Sequence, residues 1–432
     1  MNIHLPAVRI IHPRSDLDGA VKQLLVEDGI IRRVGEPGDR WGLAADVVLE
    51  GDSLHLSPGW LDLRVSARDP GHEHQEDLFS VREAAAAGGF TEIAVLPNTH
   101  PVVQTKEAVA YLRSRGADHP VRVHPIAAVS VDAKGKDLTE MIDLHMAGAA
   151  AFSDGVQPVW HPDLFVKILQ YLQTFNGQLI NRPEERLMTQ YGNMHEGLTA
   201  TMLGLKGMPA LAEELMVARD LRLLAYAGGK LHFACLSTAG AVQLVREAKA
   251  QGLVVTCDVA AHQMAFDDTA LIDFDTNLKV NPPFRSRADI EALWAGLADG
   301  TIDAVVSDHS PLDEESKKLE FDLAEFGILG LETAFAVLHT HNQGLSLEQL
   351  VGKLAVGPRD VLGLPLPELK EGAPANLTVF DPRAEWQFAA TDIRSKSRNT
   401  PFLGTRFTGR VVGVINQGKA LLHRAGGSRQ LQ

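Results

Sequence analysis

A carboxylate can carry a proton, a thiolate can hold zinc, and an arginine can grip a carboxylate with two parallel hydrogen bonds. The chain offers each of these at the end of an apolar run: Asp154 in AFSDG, Cys235 in ACLST, Asp308 in VSDHSP, and Arg64, Ser66 and Arg68 in LRVSARDPG. Three asparagines stand in similar places, Asn98 in LPNTHP, Asn181 in LINRPEE and Asn281 in KVNPPFR. Neutral amides bind transition metals poorly, and asparagine beside proline caps turns in any loop. Arginine stays protonated in proteins, so Arg64 cannot ligate a metal and would repel one. A cysteine inside an apolar strand, such as Cys235, is more often packing than ligand. His262 in VAAHQM and His232 read first as core or surface histidines, with a mononuclear site of His262, Cys235 and Asp308 as the sharper alternative.

These residues act together only if the fold gathers the ends of their runs. The stretch from Ser57 to Gly71 reads as a strand, Trp60 to Val65, closing in a Pro-Gly turn, and such strand ends carry chemistry in α/β proteins. From about 56 to 365, strand-like runs alternate with helical patterns. Eight strands are predicted: Leu61 to Val65, Glu92 to Leu96, Val121 to Ala127, Ala149 to Phe152, Gln178 to Ile180, Lys230 to Leu236, Val254 to Val259 and Asp303 to Val306. That pattern is a (β/α)₈ TIM barrel. Thr105 before KEAVAYLRSR and Ser286-x-x-Asp289 before IEALWAGLA mark helix starts. The segment between Arg182 and Pro209 exceeds an ordinary βα loop and reads as a surface elaboration, a lid or a partner-binding piece.

Outside the barrel, short strands are expected at Ala7 to Ile11, Val21 to Val26, Ile30 to Val34 and Val47 to Leu54, with Asp28-Gly29 turning a hairpin. Similar pieces return at 375 to 382 and 409 to 422. Residues 1–55 and 366–432 are therefore expected to share one small composite β-sandwich domain beside a 56–365 barrel.

With 432 residues and 45% hydrophobic content, the chain can build one large core and a smaller companion. A formal charge of −14 without a basic run argues against nucleic acid and anionic membranes as partners. Neither a membrane span nor a signal peptide is read, and the two cysteines suggest buried free thiols, so a cytoplasmic protein is expected.

The frame around Arg64 resembles the first metal-binding strand of the cyclic amidohydrolases, and among them the dihydroorotases, whose pattern is Pro-Gly-x-x-Asp-x-His-x-His-x-Arg-Glu-Pro-Gly. Asp62, Arg68, Asp69, Pro70 and Gly71 fall on it, while Arg64 and Ser66 occupy the histidine positions. AVLPNTHP, AFSDG, FDTNLKVNPPFR, DGTIDAVVSDHSP, GILGLET and SKSRNTPFLG extend the resemblance over nearly the whole chain. It implies a barrel with a composite β-sandwich and, in relatives, a pair of divalent metals held by histidines and an Asp. The corresponding positions here are Arg64, Ser66, Asp154, Asn181, Cys235 and Asp308, so no metal is expected; zinc would be the family metal for a partial site. The resemblance further implies Arg68, Asn98 and Asn281 as holders of the substrate and Asp308 as the proton-moving acid.

The resemblance and the lost histidines together imply a dihydroorotase-like protein of pyrimidine biosynthesis that has lost catalysis and acts as a structural or regulatory subunit. Some bacterial aspartate transcarbamoylases resemble this arrangement, needing an inactive dihydroorotase-like chain for assembly. The alternatives are an active cyclic amidohydrolase with a reduced site, and a sensor of a small carboxylate such as dihydroorotate or carbamoyl aspartate. A homodimer is the default assembly.

Overall fold

The computed structural model describes residues 1–41, 45–114, 118–424 and 427–431. Eight parallel strands run side by side in chain order: Trp60–Val65, Phe90–Val95, Arg122–Ala127, Ala151–Phe152, Leu179–Asn181, Leu231–Phe233, Val255–Ala260 and Ala304–Val306. The first two are buried at every position, as strands covered by side chains inside and helices outside must be. The ring closes between the eighth strand and the first through a parallel bridge from Val65 to His309. Asp62 fastens this seam, accepting from the backbone of Arg64 and of Ser307, each at 2.9 Å. Burial pushes its carboxyl up to about 7 despite those hydrogen bonds.

Helices fill the crossovers, and their starts follow local chemistry. Ser286 and Asp289 form a capping box at Arg287–Asp299. Thr105 accepts from the Ala108 amide at 3.3 Å ahead of the helix Lys106–Ser114, while Arg115, the end of the expected run, lies outside the described residues. The 182–209 segment is an ordered unit: helices Arg186–Thr189 and Leu198–Leu203 flank a short parallel pairing of Met194–His195 with Gly207–Met208.

Both ends of the chain meet in one sheet. Its strands run in the order Gly427–Leu431, Lys419–Arg424, Arg406–Asn416, Leu377–Gln387, His55–Pro58, Asn2–Ile10, Val21–Glu27 and Ile30–Gly35, with Val47–Val48 beside Asn2–Ile10. Alternation buries Ile3, Leu5, Val8 and Ile10 against Leu56, Leu377, Val379 and Ile415 from the far end. The hairpin turn has both Asp28 and Gly29 in the left-handed region, φ 49° and 74°, as a tight two-residue turn between twisted strands requires.

Several expected strands are shorter than read from the sequence, among them Ala149 to Phe152, which is a strand only over Ala151–Phe152. Val47 to Leu54 is a strand only over Val47–Val48, because a turn at Asp52-Ser53 interrupts the run before pairing resumes at His55. Lys230 to Leu236 reduces to Leu231–Phe233, since Cys235 adopts φ 53° and turns the chain out of the sheet.

A buried charge cluster joins sheet to barrel. Glu92 in the second barrel strand accepts from Arg359 at 2.6 Å, from His124 at 2.6 Å and from Asn376 of the sheet segment at 2.8 Å. Burial raises the carboxyl, but the His124 hydrogen bond and the Arg359 charge outweigh it and hold Glu92 at about 2. Glu92→Leu strands the Arg359 guanidinium, which is 1% exposed, and is expected to cost about 3–5 kcal/mol in urea unfolding. Because the folded-state carboxyl is depressed, its contribution is full above its unfolded value of about 4.5 and is lost as pH falls toward 2. Wild type minus mutant stability should therefore shrink across that window, and a pH-independent difference would refute the assignment.

Candidate functional site

The C-terminal ends of the barrel strands open into a cavity of about 860 Å³, the face on which barrel proteins assemble their sites. Arg64, Ser66, Arg68, Asn281 and Asp308 all line it. At its floor Arg64, 3% exposed, donates from Nε to Asp308 Oδ1 at 2.8 Å and from Nη1 to the Gly155 carbonyl at 3.4 Å. Burial works against this guanidinium, yet the carboxylates of Asp308 and Asp258 help hold it above its ordinary value, so it is charged at any working pH.

The remaining family positions are engaged elsewhere. Asp154 accepts from the amides of Val129 and Ser130 at 3.2 and 3.0 Å and from the Ser130 hydroxyl at 2.5 Å, which makes it a turn-fastening acid. Asn181 accepts from the Val159 amide at 2.9 Å and donates to Asp220 at 2.7 Å. Cys235 is buried, and desolvation together with Asp308 raises its thiol well above the ordinary value despite nearby Arg64. It is therefore a neutral thiol at neutral pH.

Two divalent ions need several imidazoles and carboxylates converging with lone pairs to spare. The residues present do not fit that group: a guanidinium occupies one oxygen of Asp308, Asp154 and Asn181 are committed to backbone and side-chain partners, and the cysteine is protonated. Among the described residues no group of three or more His, Cys, Asp and Glu side chains is placed to hold a metal ion. The trio His262, Cys235 and Asp308 thus forms no such group. His262 is buried with its ring edge-on to Phe284, and desolvation lowers its pKa against the pull of Asp308. His232 is bonded to Thr256 and Asp258, both at 2.8 Å, inside the barrel.

Of the expected substrate contacts, Arg68 lines the cavity with its guanidinium braced against the Pro311 carbonyl at 3.0 Å and the Ser310 hydroxyl at 3.1 Å. Asn281 also lines it and donates to Glu184 at 3.3 Å. Asn98 stands apart from the lining residues. Its amide donates to the Asp154 carbonyl at 3.1 Å and accepts from the Val156 amide at 2.9 Å, tying the second strand to the fourth.

The structure adds residues that the sequence reading passed over. Arg182 and Glu184, just past Asn181, form an ion pair on the cavity wall, where burial raises the carboxyl but Arg182 and Thr189 bring it below its ordinary value. Lys279 donates to the carbonyls of Phe321 and Asp322 at 2.7 and 3.0 Å, and burial lowers it to about 8. It holds the loop 321–327 along the cavity rim. The signal was present in LINRPEE, where Arg182 and Glu184 directly follow a strand-like run, whereas Lys279 follows no such run. Arg64 and Lys279 both belong to a mouth whose five cationic side chains face four carboxylates.

If Cys235 is a protonated, buried thiol, it should resist modification. With both cysteines buried and raised, the native chain is expected to show no fast-reacting thiol toward a disulfide reagent at pH 8, and two after unfolding in denaturant. One rapidly titrating native thiol would contradict this description of the mouth.

Comparison with known proteins places the chain. The family described as Dihydro-orotase-like matches residues 54–240. The protein named Dihydroorotase of Geotalea daltonii is 41% identical over 98% of this chain and 100% of its own length, and that of a Geobacter species (strain M21) is 40% identical over 99% and 100%. Among solved structures, the L-hydantoinase (dihydropyrimidinase) of Arthrobacter aurescens shares the fold at a TM-score of 0.85 and 24% identity, covering 100% of this chain and 97% of its own. On the strength of the full-length relatives, the chain belongs to the dihydroorotase family.

Proposed function

We propose that this chain serves pyrimidine biosynthesis as a dihydroorotase-family protein that does not itself hydrolyse, acting in the cytoplasm as a homodimeric structural or regulatory subunit. Its proposed partner is aspartate transcarbamoylase, and its mouth is kept for a small carboxylate such as dihydroorotate or carbamoyl aspartate. The observation that carries this reading is the Arg64–Asp308 ion pair.

Ring opening of a cyclic amide needs an activated water, an acid that relays the proton and a group that polarises the carbonyl. Asp308 is the one family acid at the mouth in a position to relay, and it gives one oxygen to a buried guanidinium. The donor set does not suit the metals that would otherwise supply hydroxide, which leaves most of the barrier in place. Binding is a smaller demand. Arg68 and Asn281 line a cavity large enough for a six-membered ring with its carboxylate, and bidentate arginine recognises a carboxylate by shape as well as charge.

A second reading is favoured by the relatives of about 40% identity that carry the name Dihydroorotase over their full length. In it the chain converts dihydroorotate and water to carbamoyl aspartate, with Arg68 and Asn281 holding substrate and Asp308 moving the proton.

Cyclisation of carbamoyl aspartate, assayed with added zinc or manganese, separates the two. The silent reading expects no rate above the uncatalysed one and substoichiometric metal in protein purified without chelator. Turnover that disappears in Asp308→Ala would instead establish the hydrolase. The partner is tested separately by light scattering with the same organism's aspartate transcarbamoylase: a mass equal to a mixed assembly is expected, and masses of the separate components alone would end that part of the proposal.

A further inference from the structure

A second cavity, of about 450 Å³, opens at the seam between the barrel's outer helices and the terminal sheet, and it shares no lining residue with the mouth. Its volume lies in the range of small-molecule sites. The helix Ala334–Thr340 contributes Phe335, the strand Leu377–Gln387 contributes Trp386, and the strand Arg406–Asn416 contributes Arg410. The Trp386 indole N–H donates to the Gly409 carbonyl at 2.9 Å, which fixes the ring plane. Gly409 is itself at φ 92°, and a Cβ there would fall 2.8 Å from His339 and 3.1 Å from Phe335, so the strand backbone lies directly against the helix.

The charges around this seam are arranged for a guest. Arg410 spreads over the Trp386 ring with its Cζ 4.9 Å from the centroid, and its ionic partner Asp392 is a loose 3.4 Å away. Asp392 commits its other oxygen to the Ala389 amide at 2.9 Å. Glu332 accepts from the amides of Arg394 and Ser395, both at 3.2 Å. Both carboxylates are thus drawn toward backbone N–H groups, while a guanidinium that is 38% exposed retains donors beside an aromatic wall. Arg394 and Arg410 against Glu332 and Asp392 give a formal balance of zero, so the pull on an anion comes from Arg410, and one guanidinium matches one carboxylate.

We propose that this seam cavity is a second small-molecule site, shaped for a planar-ring monoanion of the aryl carboxylate class, whose ring lies against Trp386 and Phe335 and whose carboxylate is gripped by Arg410. The site couples the barrel to the sheet, since its walls come from both. It is independent of the function proposed for the mouth, because Arg64, Arg68 and Asp308 take no part in it.

Fluorine NMR of 4-fluorobenzoate titrated with the full chain tests the assignment. Saturable binding is expected, weakened about tenfold or more by Arg410→Met, which keeps the apolar stem but removes the charge-assisted hydrogen bonds. Thr391→Trp, at an exposed rim position, should abolish binding by filling the space, and it serves as the second variant if Arg410→Met fails to fold. In the Arg68→Met background, which removes any contribution of the mouth to binding of the probe, a saturable site that Arg410→Met still weakens should persist, and neutral 4-fluorobenzamide should bind there more weakly. Absence of saturable binding overturns the proposal, as does binding lost in Arg68→Met but retained in Arg410→Met and Thr391→Trp. Phenyl phosphate binding more tightly than benzoate would overturn the monoanion assignment.

Discussion

A guanidinium buried at the mouth of a barrel imposes conditions on everything around it. Taking such a charge out of water costs several kcal/mol, about what a well-placed counter-charge and hydrogen bonds return. Arg64 meets that condition with Asp308 just after the eighth strand and the Gly155 carbonyl after the fourth, so one side chain links three sectors of the ring. The same cation sits among Cys235, Asp258 and Asp308, and its presence makes a cluster of acids tolerable inside a closed barrel. In the family pattern histidines fill these positions around metal. Here the positive charge belongs to the chain, is permanent and cannot dissociate, so Arg64 acts as a fixed brace between Asp308 and the Gly155 carbonyl.

The backbone nevertheless keeps the contours of a reactive mouth. Arg68, Cys235 and Asp308 all adopt positive φ, at 60°, 53° and 49°. For residues with a Cβ this conformation costs on the order of 1 kcal/mol or more and persists only where the surroundings over-determine it. The surroundings do so here: Cys235 N–H is held by Asp258 at 2.7 Å, and Arg68 is braced by the loop after the eighth strand. The strain is therefore built into the barrel frame and held there by hydrogen bonds from neighbouring strands and loops. Closure at the Asp62 seam and the Glu92 cluster beneath it keep that frame rigid.

Much of this was legible in the sequence, for identifiable reasons. The eight barrel strands stood out because parallel strands buried on both faces are continuous apolar runs, and their observed limits mostly fall within a residue or two of the reading. The Asp28-Gly29 hairpin was legible because so few residues accept positive φ at two successive positions. The replacement of the histidine positions by Arg64 and Ser66 was equally plain. What could not be read was which polar groups would be spent on each other. LPNTHP suggests a ligand-binding amide, but whether Asn98 reaches ligand or backbone depends on how the loops after the second and fourth strands meet. The Arg182–Glu184 pair and the Lys279 tether are likewise decided by long-range packing that no local pattern encodes.

That expenditure of polar groups governs what the mouth can bind. Arg182 is neutralised by Glu184, Lys279 is held by two carbonyls, and Arg64 by Asp308, so three of the five cations lining the cavity already have partners of good geometry. A carboxylate entering the cavity competes with these bonds and gains only what the existing partners do not supply. Arg68 differs because its braces are a neutral carbonyl and a hydroxyl, which leave its charge uncompensated by direct contact. The attraction of the mouth for an anion thus falls to the two remaining cations, Arg186 on the 182–209 segment and Arg68, the latter positioned by Ser310 and Pro311. The geometry of the mouth thus separates two demands: a carboxylate needs only directional donors such as those of Arg68, whereas polarising a carbonyl needs a Lewis acid or free donors that Arg64, held by Asp308, does not supply.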